Sequence, residues 1–252
     1  MHIDLTGKRI LVTGASRGIG RAIAQALDTA GAQVIIHYNQ NEEQATQLAQ
    51  TLKNNPICIQ ADLEDPASCA NLFAESLIKL DRLDVLINNA GIAIDAPPEA
   101  PLDHWLDAWN KTMAVNLRAT ELLSRLAIQH FSQGPGGRII NISSRAAFRG
   151  DTPGYMTYAA SKAGMVALTK SIARAYGKKN IMAFLVAPGF TRTDMAQDFI
   201  DLYGEDHALH DIALQRLTEP EDIAPLIVLL ASGLADHATG TSIDINAASY
   251  VH

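Results

Sequence analysis

Seven short runs rich in Ile, Val and Leu recur along the chain with longer helical patterns between them. They are Arg9 to Val12, Gln33 to His37, Pro56 to Gln60, Asp84 to Ile87, Arg138 to Ile142, Ile181 to Val186 and Thr241 to Ile245. A strand buried on both sides needs no apolar–polar alternation, so continuous apolar runs suit a parallel sheet covered on both faces. Their regular alternation with helices is the signature of βαβ units. The pattern predicts an α/β fold: one doubly wound, seven-stranded parallel sheet with helices on both faces. At 252 residues the chain is long enough for it, since a domain of this size buries about 70–75% of its unfolded surface.

The connecting segments carry helical spacing. Ile19, Ile23 and Leu27, with Ala22, Ala26 and Ala30, form an apolar side in the first, and Leu123, Leu126, Ala127 and Phe131 do so later. Gly31 stops the first helix, because glycine accepts the left-handed conformation beyond a C-cap. No Ser-, Gly- or Pro-rich linker, repeat or low-complexity tract divides the sequence, which predicts a single domain over residues 1–252. Weak periodicity and mixed polarity from Thr191 to Thr218, after the sixth strand, predict a substrate lid, since doubly wound sheets place ligand-covering loops there.

Composition narrows the function classes. With 20 Lys and Arg against 27 Asp and Glu, the formal charge is −7 and no basic stripe appears, so nucleic acid is not an expected partner. No apolar run approaches the roughly 20 residues of a membrane span, and Met1 to Lys8 lacks the basic start and apolar middle of a signal peptide. Cys58 and Cys69 follow no metal-ligand spacing and build no disulfide framework, and read as small core residues in a reducing compartment. His207 and His210 make one pair without a third ligand, so no metal is expected. A cytoplasmic protein is expected.

The first strand meets the first helix through Val12-Thr13-Gly14-Ala15-Ser16-Arg17-Gly18-Ile19-Gly20. Glycines here allow a tight turn and bring backbone N–H groups close to a pyrophosphate, while the helix N-terminus adds positive partial charge. The spacing is Gly-xxx-Gly-x-Gly and not G-x-G-x-x-G, so the physical case for a dinucleotide rests on the position between strand and helix. Farther on, Tyr158 and Lys162 stand four residues apart in Tyr-Ala-Ala-Ser-Lys and share a helix face. A tyrosine of pKa about 10 is a poor base, but a nearby ammonium favours its phenolate and fits it for acid–base work near neutrality. Tyr155 has Ala159 four residues on in place of a lysine, and is expected to shape a pocket.

The glycine spacing, Thr13 before it and Asn88-Asn89-Ala90-Gly91 after the fourth strand resemble the short-chain dehydrogenase/reductase family. The resemblance continues through Asn116, Ser144, Tyr158, Lys162 and Pro188-Gly189-Phe190-Thr191-Arg192-Thr193, in the family's order over essentially the whole chain. The 3-oxoacyl-(acyl carrier protein) reductases and similar small carbonyl reductases are the members it looks most like. The resemblance implies a Rossmann fold and an NAD(P)(H)-dependent enzyme that interconverts a carbonyl and a secondary alcohol. Tyr158 would be general acid/base, Lys162 would act on Tyr158 and the nicotinamide ribose, Ser144 would bond the substrate oxygen, and Asn116 would hold a water in a proton relay. Ser143 is the rival of Ser144, since neighbours in a strand face opposite ways.

For the cofactor, the resemblance implies Gly14, Ser16, Arg17, Gly18, Ile19 and Gly20 around the phosphates. Asp62 and Leu63 would lie near the adenine, and Asn89, Ala90 and Gly91 along the adenosine side. Pro188, Gly189, Thr191 and Thr193 would hold the nicotinamide. An acid at the end of the second strand would repel a 2′-phosphate. Tyr38 stands there, followed by Asn39, and Arg17 falls where NADP-dependent members carry a basic residue, so NADP(H) is favoured over NAD(H). Two alternatives stay open: Asp62 as cap of a helix near Pro66, and Glu42 or Glu43 reaching back to the ribose instead of opening the second helix.

Ile92 to Pro98, Arg145 to Tyr155 and the lid would line the substrate pocket, where Arg145 and Arg149 are candidates to attract an anion. Ala127 to Gly137 holds no Lys or Arg, so docking of an acyl carrier protein is in doubt, although Lys178 and Lys179 partly compensate. The family also implies a homotetramer. Asp244-Ile245-Asn246-Ala247-Ala248 departs from the Asp-Gly-Gly found in relatives near a subunit contact. A non-catalytic, cofactor-binding regulatory protein on the same fold is the competing reading.

Overall fold

A computed structural model describes residues 3–193, 196 and 209–251. Seven strands form one sheet: β1 (Arg9–Val12), β2 (Gln33–Tyr38), β3 (Ile57–Gln60), β4 (Val85–Asn88), β5 (Gly137–Ile142), β6 (Ile181–Pro188) and β7 (Ser242–Ile245). Their order is β3-β2-β1-β4-β5-β6-β7, every pairing is parallel, and each expected strand is present within one or two residues at either end. The helices are α1 (Gly18–Thr29), α2 (Glu42–Thr51), α3 (Pro66–Leu80), α4 (Leu102–Met113), α5 (Ala119–Phe131), α6 (Ala146–Arg149), α7 (Met156–Tyr176) and α8 (Pro220–Ser232).

Side-chain alternation splits the core between the two faces. Ile10 and Val12 of β1 join a cluster with Ile23 and Leu27 of α1, Leu48 of α2 and Ile227 of α8. Leu11, pointing the other way, packs with Leu72 of α3, Leu123 and Phe131 of α5 and Ile172 of α7. The apolar runs are thus continuous because both faces are covered.

Helix ends follow their local chemistry. Gly31 adopts φ +98° just beyond α1, and its N–H donates to the Asp28 carbonyl at 2.8 Å. Pro66 opens α3, so the cap is the residue before it: Asp65 accepts from the N–H groups of Ala67 at 3.2 Å and Ser68 at 2.8 Å. That assigns to Asp65 the capping role left open for Asp62. Between α4 and α5 the chain makes a π-helical turn, Ala114–Arg118, which helical periodicity did not announce. Among the described residues no helix is long and apolar enough to cross a membrane.

The strand order reverses between β1 and β4, which opens a crevice at their carboxyl ends. Thr13 fastens its rim. Its Oγ1 accepts from the N–H groups of Asn89 at 2.9 Å and Ala90 at 3.0 Å, fixing the turn after β4 against the turn after β1.

Candidate active site

A cleft of about 430 Å³ runs along this edge. Gly14, Ser16, Arg17, Gly18, Ile19 and Gly20 line it after β1, Asn39, Asp62 and Leu63 on the β2–β3 side, and Asn89, Ala90 and Gly91 after β4; Tyr158 and Lys162 line the other side, and Thr193 meets the turn at Gly18. The geometry of the turn explains its glycines. Gly14 has φ +63°, and a Cβ on it would stand 2.9 Å from Ala90 Cα. A Cβ on Gly20 would overlap the Gly14 carbonyl oxygen and stand 2.5 Å from Asn89 Nδ2.

Helix α1 begins at Gly18 with Arg17 at the N-cap and no side-chain cap. Its first backbone bond runs from Arg21 N–H to the Arg17 carbonyl at 3.2 Å, so the N–H groups of Gly18, Ile19 and Gly20 precede any intrahelical acceptor. An uncapped helix start beside glycines is a place for an anion. At the far end, a Cβ on Gly91 would lie 3.2 Å from Lys162 Nζ and 3.4 Å from Asn116 Oδ1, so a side chain there would crowd both. These features fit a dinucleotide laid across the sheet edge.

Lys162 is 3% exposed. Its Nζ donates to the Ile142 carbonyl at 2.9 Å and stands 5.8 Å from the centre of the Tyr158 ring. Burial pulls its pKa down to about 8. Burial pushes the half-buried Tyr158 up to about 12, against the opposing effect of the hydrogen-bonded Ser144 side chain. In the chain alone desolvation outweighs any effect of the lysine, whose Nζ is turned to the Ile142 carbonyl. Tyr158 is therefore protonated at neutral pH.

Between the two serines the structure separates the roles. Ser143 donates to the Lys162 carbonyl at 3.0 Å and is buried, whereas Ser144 acts on the Tyr158 hydroxyl and accepts from Ala146 N–H at 3.1 Å. Asn116 lies buried in the π-helical turn. It accepts from Ile92 N–H at 2.8 Å and donates to the Ile92 carbonyl at 2.9 Å and Ser161 Oγ at 3.0 Å, which braces the turn carrying Lys162.

Pro188, Gly189 and Thr191 stand behind the lining. Gly189 N–H donates to the Ile245 carbonyl at 2.8 Å, the Pro188 carbonyl accepts from Arg145 N–H at 2.9 Å, and Thr191 bridges to Thr218. Thr193 reaches the glycine turn, with its Cγ2 3.2 Å from the place of a Cβ on Gly18. The expected lid is clasped at its base, where Arg192 N–H donates to the Thr218 carbonyl at 2.9 Å. Its residues 194–195 and 197–208, His207 included, lie outside the described residues. Arg149 of α6 pairs with Asp211 at 3.3 Å. Among the described residues no group of three or more His, Cys, Asp and Glu is placed to hold a metal.

The cleft also contains His37, Tyr38, Gln40, Asn41, Ile92, Val115, Ile142 and Ser143, none of them named from the sequence as cofactor residues. Most follow or end a strand at its carboxyl edge, and that position was the available signal; Val115 carried none. Glu42 opens α2 as its acidic first turn and also lies close enough to Tyr38 to raise its hydroxyl together with burial.

Residues 14–247 match the family described as enoyl-(acyl carrier protein) reductase. The chain is 39% identical to a 3-oxoacyl-[acyl-carrier-protein] reductase of Rickettsia conorii, over 97% of each chain. To the enzyme of the same name from Aquifex aeolicus it is 36% identical, over 98% of each. This chain is a short-chain dehydrogenase/reductase. Among solved structures, a short-chain dehydrogenase of Burkholderia cenocepacia in complex with NADP superposes with TM-score 0.89 at 35% identity, covering 97% of this chain and 98% of that one. A metagenomic blue fluorescent protein in complex with NADPH gives TM-score 0.89 at 34% identity, covering 98% and 100%. The doubly wound Rossmann fold of the short-chain dehydrogenase/reductases is therefore this chain's fold.

Proposed function

We propose that this protein is an NADP(H)-dependent oxidoreductase that interconverts a carbonyl and a secondary alcohol, with 3-oxoacyl thioesters as the leading substrate class. The observation that carries the reading is the meeting, at one end of a dinucleotide-sized cleft, of Tyr158 and of Lys162 behind Gly91, with the Ser144 side chain hydrogen-bonded to Tyr158.

When bound, the nicotinamide supplies or accepts the hydride at the carbonyl carbon. Tyr158, protonated before reaction, donates its proton to the carbonyl oxygen in reduction. Ser144 hydrogen-bonds the same oxygen as charge develops there. Lys162, close to the ordinary working pH at about 8, returns a proton to the tyrosine side of the cleft, and Asn116 holds the turn on which it sits. Oxidation reverses the proton path and requires the Tyr158 pKa to fall.

NADP(H) is favoured over NAD(H) by Tyr38 in place of an acid and by Arg17 and Asn39 in the cleft, with support from the NADP and NADPH of the two structural relatives. The relatives' names favour an acyl-carrier thioester over the doubt raised by the neutral stretch from Ala127 to Gly137. Lys178 and Lys179 lie beside the end of that stretch, where Asn180 Nδ2 donates to the Pro135 carbonyl at 2.6 Å. The stretch and the lysines precede parallel strands, β5 and β6, at the amino edge of the sheet, opposite the carboxyl edge that carries the cleft. We further assign the lid to residues 191–218, one domain to the chain, a homotetramer to the assembly and the cytoplasm as its location. An apolar strip on α4, with Leu102 70% and Leu106 44% exposed and Trp105 stacked on Trp109, supports a subunit contact. Following NADPH absorbance with 3-oxoacyl thioesters on carrier protein and on pantetheine, diketones, cyclic ketones and sugars tests the reading. Consumption with a 3-oxoacyl thioester is expected; binding without turnover of any carbonyl would favour the regulatory alternative.

A further inference from the structure

His37 ends the apolar part of β2, is 1% exposed and lines the floor of the cleft. Two consecutive N–H groups of the glycine turn end on this one residue. Gly14 N–H donates to its Nδ1 at 2.9 Å, and Ala15 N–H donates to its carbonyl at 2.9 Å. A backbone N–H is only a donor, so Nδ1 is the bare nitrogen and Nε2 carries the hydrogen, which it donates to the Ala61 carbonyl at 3.1 Å. Asp62, at the adenine end of the cleft, follows Ala61 directly. The Gly14 carbonyl, for its part, accepts from Asn89 Nδ2 at 3.1 Å.

Resting on the functional reading above, we propose that His37 is a positioning residue for the dinucleotide: its neutral ring presets the glycine turn by accepting from Gly14 N–H, and ties that turn to the adenine end through Ala61. Three features support it. Gly14 sits at φ +63°, a conformation from which glycine also swings out readily, so its peptide needs an external anchor. The ring spans the ends of β1, β2 and β3, which are the three segments that would meet phosphate, ribose and adenine. Burial keeps the ring neutral down to about pH 4, so the acceptor persists across the working range.

Two substitutions divide the ring. In His37→Asn the Oδ1 atom takes the place of Nδ1 and can still accept from Gly14, while the Ala61 bond is lost. In His37→Gln the side-chain amide reaches the place of Nε2 and can still donate to Ala61, while the Gly14 acceptor is lost. NADPH titration by fluorescence, steady-state kinetics and thermal melts are run on the full chain of each. Loss of one hydrogen bond from the turn corresponds to about 10-fold in affinity. His37→Gln is expected to raise the Kd and KM for NADPH by about that factor, with kcat at saturation falling far less, and His37→Asn to recover most of the affinity although both melt lower than wild type. Equal affinities in the two variants, or losses that follow the melting temperature alone, would overturn the proposal. If neither variant folds, the 15N shifts of the wild-type imidazole decide: a bare Nδ1 and a protonated Nε2 uphold it, and a protonated Nδ1 sinks it. A wild-type chain that binds neither NADPH nor NADH removes the functional reading and this proposal with it, whereas binding by wild type with indifferent variants removes this proposal alone.

Discussion

Replacing Gly20 by Ala should damage cofactor binding and stability together, by an amount the packing sets. The new Cβ would stand 2.5 Å from Asn89 Nδ2 and 2.9 Å from Ala15 Cα, besides overlapping the Gly14 carbonyl. Ordinary contact lies near 3.4–4 Å, so the turn must retreat from α1 by roughly 0.5–1 Å, at an overpacking cost of about 1–3 kcal/mol. Asn89 Nδ2 then loses its bonds to the carbonyls of Thr13, now 2.9 Å, and Gly14, now 3.1 Å, for roughly 1 kcal/mol each. The helical preference of alanine returns up to about 1 kcal/mol. The net of about 2–4 kcal/mol corresponds to a drop of about 5–15 °C in Tm. Because the displaced N–H groups are those at the start of α1, the Kd for NADPH should also rise by about 10-fold or more. Gly177→Ala is the control: its Cβ meets no atom within 4 Å, and it should stay within about 0.5 kcal/mol of wild type. Calorimetry and NADPH titration read both quantities. A Gly20→Ala protein with wild-type Tm and Kd would refute the packing argument for the turn.

Lys162→Met should change how stability depends on pH. The folded pKa of about 8 lies below the ordinary 10.5, so in that window the unfolded chain holds a proton the folded chain lacks, and wild-type stability rises from about pH 8 towards 10.5, by on the order of 3 kcal/mol. Tyr158, raised from 10.0 to about 12, acts with the opposite sign above pH 10. Urea unfolding between pH 7 and 10 should show the rise in wild type and its loss in Lys162→Met, and parallel curves would contradict the buried-lysine account. Arg17→Ala should weaken NADPH by roughly 10- to 100-fold and NADH far less, as expected for one charge-assisted phosphate contact; equal losses in kcat/KM for both cofactors would disprove that source of selectivity.

Local chemistry made much of this chain legible. The inner strands announced themselves because burial on both faces removes polar positions, whereas the edge strand β7, half-buried throughout, keeps Ser242 and Asp244; Tyr158 and Lys162 did so because four residues make one helical turn. Asp65 was also within reach, since a proline at the first helical position marks the residue before it as the cap. Other features depend on groups brought together from afar. The alternation of Ser143 and Ser144 shows that they face apart, but which one meets Tyr158 is decided by where α7 packs. The Tyr158 pKa is a balance between burial and the Ser144 hydroxyl, neither visible in a Tyr-x-x-x-Lys spacing. The π-helical turn at Asn116 repeats the apolar pattern of an ordinary helix, and His37 joins three strand ends that only the sheet order makes neighbours.

The central claim is that Tyr158 delivers the proton in carbonyl reduction. A single turnover of enzyme preloaded with NADPH and mixed with a 3-oxoacyl thioester tests it most directly, comparing wild type with Tyr158→Phe. Loss of the Tyr158 hydroxyl proton should slow NADPH consumption by about 100-fold or more, while the Kd for NADPH changes little and Tm falls by only a few degrees, as one hydrogen bond is lost. A Tyr158→Phe enzyme that consumes NADPH at nearly the wild-type rate would contradict the account.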